Sequence, residues 1–120
     1  MSMTQEFTHE QASQLLSGTS FLDDPSERVC PACRSRSIRV YVYRHRAGAR
    51  ASLITYAWCA ACRRFKGWTG PDLGDLEFTD PLSRHTEERS QAQREDFDGF
   101  LRRLDVLWDT GELPQEFSRT

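Results

Sequence analysis

A chain of 120 residues with 38% hydrophobic and 28% charged residues is one domain by length and has little apolar material for a large core, so it benefits from a metal or another staple. No run approaches the roughly 18 apolar residues of a membrane span, and the start, Met1-Ser2-Met3-Thr4-Gln5-Glu6, lacks the basic and apolar segments of a secretory signal. The net charge of -2 hides a segregation: residues 1–27 carry five acids and no Lys or Arg, residues 28–70 ten bases and no acid, and residues 71–120 thirteen acids against six bases. The expected setting is a reducing cytoplasm, where paired cysteines are metal ligands more often than disulfides.

In chain order, residues 1–27 hold an N-terminal helix and a linker. A helix is expected over 4–18, with Thr8 as N-cap, Gln11 completing a capping box, Ala12, Leu15 and Leu16 as a narrow apolar face, and Gly18 just past the end. Such a narrow stripe needs a surface to dock on. In the linker, Phe21-Leu22 forms a hydrophobic anchor and Asp24-Pro25 a turn.

Residues 28–70 contain all four cysteines, as Cys30-Pro31-Ala32-Cys33 and Cys59-Ala60-Ala61-Cys62. Two residues between each pair let both thiolates reach one ion, and four soft thiolate donors in a tetrahedral array suit zinc, with iron as the competitor. Between the pairs, Ile38, Val40 and Val42 alternate with Arg39, Tyr41 and Tyr43, the period of a half-buried strand over 36–46. A turn at Ala47-Gly48-Ala49-Arg50 leads to a return strand over 51–58, which brings Cys59 back beside Cys33. A third short strand is expected at Arg64-Phe65-Lys66-Gly67-Trp68.

Cys-Pro-x-Cys, a β-hairpin, Cys-x-x-Cys and a third short strand resemble a zinc ribbon, over residues 28–68. The resemblance implies that Cys30, Cys33, Cys59 and Cys62 are the four zinc ligands. It carries little functional detail, because zinc ribbons serve in transcription factors, polymerase subunits, ribosomal proteins and adaptors. One departure concerns the residue after the second cysteine of each knuckle, where many ribbons have Gly and this chain has Arg34 and Arg63. Rubredoxins pair similar knuckles around iron but are usually acidic near the site, whereas Arg34, Arg36, Arg63 and Arg64 crowd this one.

Residues 71–120 begin in a Gly-, Pro- and Asp-rich loop with Leu73, Leu76 and Phe78 as anchors. A mixed-charge, solvated helix is expected over 84–95. From Phe97 an amphipathic helix follows, with Phe97, Phe100, Leu101, Leu104, Leu107 and Trp108 on one face and a break or kink at Gly99. Asp109-Thr110-Gly111 ends it and Pro114 prevents continuation. The expected whole is a single α+β domain, a ribbon with a helix on each side.

Four thiolates leave no open metal position, and His9, His45 and His85 are scattered, so the expectation is a structural ion and a non-enzymatic protein without a small-molecule substrate or a membrane partner. Two partner classes remain. Arg39, Tyr41, Tyr43 and His45 share one strand face, joined by Arg44, Tyr56, Trp58, Lys66 and Trp68, and cations interleaved with aromatic rings suit nucleic acid. Alternatively, the acidic flanks and the C-terminal helix serve a dedicated protein partner, as in an adaptor or a toxin immunity protein.

Overall fold

The computed structural model describes residues 5–119. In chain order the elements are β1 (Gln5–Glu6), α1 (His9–Leu16), β2 (Arg28–Val29), β3 (Arg36–Ala47), β4 (Arg50–Cys59), β5 (Arg64–Pro71), β6 (Leu76–Phe78), α2 (Thr86–Glu95), α3 (Phe97–Asp109) and β7 (Phe117–Arg119). The fold is α+β. Its main sheet has the order β1-β5-β4-β3-β2, antiparallel except for the β1–β5 pair, and β6 and β7 form a separate antiparallel pair.

The β3–β4 hairpin is the spine. Its ladder runs from Ile38 opposite Cys59 to Ala47 opposite Arg50, which leaves a two-residue turn of Gly48 and Ala49. Gly48 has φ +63°, the conformation that a type II′ hairpin turn asks of its first central residue and that glycine adopts without steric cost. The hairpin and the third strand match the sequence expectation, each element reaching one to three residues further.

The half-buried reading of β3 does not hold, because both faces of the sheet are covered. Ile38, Val40 and Val42 pack with Phe7, Leu15 and Phe21 beneath α1. Tyr41, Tyr43 and Trp58 pack on the opposite face with Phe100, Leu101 and Leu104 of α3. A period of two distinguishes two faces, yet aromatic and β-branched side chains are equally at home on either.

α1 starts at His9, later than expected. Thr8 caps it through a reciprocal box, its Oγ1 accepting from Gln11 N at 3.2 Å and its N–H donating to Gln11 Oε1 at 3.0 Å. Residues 5 and 6, expected to be helical, instead pair with β5 (Gln5 with Arg64, Glu6 with Phe65); the first residue of that expected helix, residue 4, lies outside the described residues. Gly18 does follow the helix end with φ +82°.

The polar stretch and the amphipathic stretch form two helices broken at Asp96, three residues before the expected point. Asp96 ends α2 and caps α3, accepting from Gly99 N at 3.0 Å. A Cβ on Gly99 would strike that carboxylate, so the glycine serves the cap rather than a kink. Nor is α2 wholly solvated. Arg89 is buried, its guanidinium 3.1 Å from Asp80 Oδ2, donating to Tyr41 Oη at 3.0 Å and lying over the Tyr43 ring. Of the loop anchors, Leu76 is buried and Phe78 packs at a tilt against Phe117, but Leu73 stays exposed.

The outer edge of β3 is also engaged. β2 pairs with Ile38, and the buried Gln115 side chain reaches Val42, accepting from its N–H at 2.9 Å and donating to its C=O at 2.7 Å. A side-chain amide thus satisfies backbone groups that an adjacent strand would otherwise pair.

Candidate metal centre

The two cysteine pairs sit on matching turns at one end of the sheet. Arg34 N donates to Cys30 O at 2.9 Å, and Arg63 N donates to Cys59 O at 3.0 Å. Arg34 and Arg63 share φ +67°, the left-handed conformation usually filled by glycine. The chain therefore keeps the turn that the arginines departed from in residue type. Backbone N–H groups point at the first sulfur of each pair: Ala32 N and Cys33 N at 3.3 and 3.5 Å from Cys30 Sγ, and Cys62 N at 3.3 Å from Cys59 Sγ. Such donors stabilise thiolate charge.

Cys30, Cys33, Cys59 and Cys62 place their four sulfurs within 4.8 Å of one another. The cross-pair distances are 3.8 Å for Cys30–Cys62 and 3.6 Å for Cys33–Cys59. A tetrahedron of sulfurs about 2.3 Å from a central ion has edges of about 3.8 Å, so the cluster fits a four-thiolate metal ion and is compatible with zinc. No disulfide joins the pairs.

The four sulfurs are not equivalent. Burial pushes the Cys30 thiol up to about 12. Burial acts in the same direction on Cys59, but the Cys62 and Ala61 N–H groups and the Ser37 hydroxyl outweigh it and draw that thiol down to about 7. Ser37 Oγ is 3.0 Å from Cys59 Sγ. A metal ion bound here would have to displace the proton that burial favours on Cys30.

Around the knuckles, the acidic flanks fold back on the basic centre. Asp105 of α3 holds Arg39 at 2.8 Å, Arg63 at 2.6 Å and the Trp58 indole N–H at 2.9 Å. Glu27 adds a contact to Arg39 at 3.2 Å. Arg44 pairs with Asp72, which Gly74 N–H and then Arg44 hold below the usual carboxylate range. Lys66 lies 3.8 Å from Glu6. Asp105 and Ser37 were missed in the sequence. For Asp105 a signal existed, since it sits four residues after Leu101 and three before Trp108, an acid at the border of the apolar stripe.

The residues expected to form one partner-binding face are divided. Tyr41, Tyr43 and Trp58 are core residues at 0%, 6% and 0% exposure, and Tyr56 joins them beneath Phe97 and Phe100. Trp68 sits opposite Thr55 and packs on the other face with Phe21, as the pairing of Lys66 with Ala57 also directs. Tyr41, Tyr43 and Trp58, being buried, are not open to stack on bases, and the expected residues fall on two faces of the sheet. His45 is exposed near the hairpin turn.

No protein-family model matches the chain, no curated protein matches it, and no solved structure matches it. Among the described residues, no helix is long and apolar enough to cross a membrane.

Proposed function

We propose that the chain is a non-enzymatic binding protein built on a zinc ribbon, with one structural Zn²⁺ held by Cys30, Cys33, Cys59 and Cys62. The observation that carries this reading is the closed set of four sulfurs, with cross-pair edges of 3.8 and 3.6 Å, which leaves no ligand position for a substrate or an activated water. The zinc contributes folding energy and fixes the two turns. Protein purified without added metal is expected to carry one equivalent of zinc by elemental analysis, to be colourless, and to lose structure with a chelator. One equivalent of iron with the red colour of an iron–thiolate centre would overturn the zinc assignment, and a metal-free protein of unchanged stability would overturn the structural role.

The partner surface best supported for nucleic acid lies at the knuckle end rather than on the aromatic face. Arg34, Arg36 and Arg64 surround the cysteines, and none makes an ion pair among the described residues. The other candidate surface, acidic flanks with the C-terminal helix, is engaged internally in part: Asp105, Glu27 and Asp72 hold arginines, and Phe100, Leu101 and Leu104 are buried. A labelled single-stranded oligonucleotide is expected to bind with a log–log salt slope of about -2 if three phosphates are met. Charge reversal at Arg34 and Arg36 is expected to abolish the binding while zinc content holds. Salt-insensitive binding, or binding unchanged by the reversal, sinks this reading.

A further inference from the structure

We infer that the outer edge of β5, from Gly67 to Gly70, is a docking site for an extended peptide segment of a partner protein, which adds to the sheet as a strand where β1 leaves off. This site is separate from the arginine surface and goes beyond it.

The register locates the open groups. Phe7 N donates to Phe65 O at 2.9 Å, so Phe65 directs its backbone outward, and Gly67 and Thr69 do the same by the alternation of a strand. β1 pairs only as far as Glu6 opposite Phe65, after which the chain turns into α1. Among the described residues no strand pairs with Gly67 or Thr69 on this side, and both are exposed. The usual guards of an exposed edge, a charge or a bulge, are absent from Gly67-Trp68-Thr69-Gly70. Lys66 is tied to Glu6, and Pro71 comes only at the end of the strand.

Two concavities flank this edge. One, of about 340 Å³, begins where β1 stops and has Glu6, Ile54, Tyr56, Phe65, Lys66 and Trp68 in its lining. The other, of about 290 Å³, lies between α1 and the sheet, with Leu15, Leu16, Leu53 and Trp68 in its wall and no ionisable side chain in its lining. Leu16 is 56% exposed at its rim. An added strand sends alternate side chains to opposite faces. A side chain on the Trp68 face meets the apolar groove, with Lys66 at its β1 end, and its neighbour on the Phe65 face meets Glu6 and the Tyr56 ring. The occupant that fits is therefore a segment of about four or five residues, by the length of open edge, with apolar and polar residues alternating and without proline at the paired positions.

The test starts from the whole zinc-loaded protein and a displayed library of random heptapeptides. Enriched sequences are expected to alternate apolar and polar residues. A synthetic peptide of the enriched sequence should shift the amide resonances of Gly67 and Thr69 and slow their hydrogen exchange. Methylation of its backbone nitrogens at alternate residues should weaken binding at least tenfold, a result that does not depend on any variant folding. Leu16→Glu, at an exposed position, should weaken it by a similar factor. The inference is overturned if no sequence is enriched, if the shifts map elsewhere, if N-methylation is without effect, or if Gly67 and Thr69 are already protected in the free protein. Sedimentation showing that two copies pair through this edge would overturn it in favour of self-association.

Discussion

The two faces of the main sheet are finished by different means. Under α3, Tyr41 and Trp58 meet Phe100, Leu101 and Leu104, and the polar edge of that core is closed by Arg89, Asp80 and Tyr41. Under α1, the cover is an eight-residue helix with two inward residues, Ala12 and Leu15, helped by Phe7 and Phe21, and the core includes the buried Cys30 and Cys59. One face is held by apolar area contributed by a long helix. The other is thin, and two cysteines of the cluster that could hold a metal ion are part of its packing. A metal ion held by the cysteines, as proposed, would staple the side where the core is thinnest.

Metal removal should break this comparison most forcefully. Structural zinc contributes an apparent binding free energy of about 10 kcal/mol or more, as large as the whole stability of an ordinary domain at about 5–15 kcal/mol. Chelation, or Cys59→Ser, is expected to release protection first in α1 and β2 and later in α3, as read by hydrogen exchange resolved along the chain. Simultaneous loss would mean that the two faces are not separable. The second measure compares two truncations by denaturant titration. Leu104→Ala should cost about 3–4 kcal/mol, and Leu15→Ala, beside a groove into which neighbours can relax, about 2 kcal/mol.

Asp105→Ala tests the strap that ties α3 to β3 and to the second cysteine turn. Arg39 and Arg63, with side chains 14% and 20% exposed, would each lose a carboxylate, at a cost of about 2 kcal/mol, below the roughly 3–5 kcal/mol of a fully buried pair. The smallest effect is the acid response of Asp72. Its carboxyl lies below its ordinary value of 3.8 because Gly74 N–H and Arg44 favour the charged form. Its contribution is therefore present above pH 3.8 and lost as pH falls through the lowered folded-state value. Asp72→Asn should flatten that part of the acid-unfolding curve, and an unchanged curve would show that the Arg44–Asp72 pair contributes nothing to it.

The hairpin, both cysteine turns, the Thr8 cap and the stripe on α3 were legible because each depends on local spacing or local backbone demand. β1 was not, since two polar residues beside a capping box carry no period and owe their strand form to β5. β6 and β7 are three residues each and exist only as a pair. The fate of Tyr41, Tyr43 and Trp58 was illegible for a different reason. Alternation assigns them to a face, while burial depends on where a helix some forty to sixty residues later returns. The charge segregation was plain in the sequence, but only the position of Asp105 between Arg39 and Arg63 turns it from an external signal into an internal attraction.

Gln115 has a consequence for assembly. With its amide set against Val42 and β2 against Ile38, the β3 side of the sheet offers little to another chain, while the β5 side stands open. A sheet that can be extended from one side only has no means of repeating: a strand added at β5 ends growth, and two copies joined there would close as a pair. Fibres need a donor edge and an acceptor edge on each molecule, and Gln115 together with β2 obstructs the second.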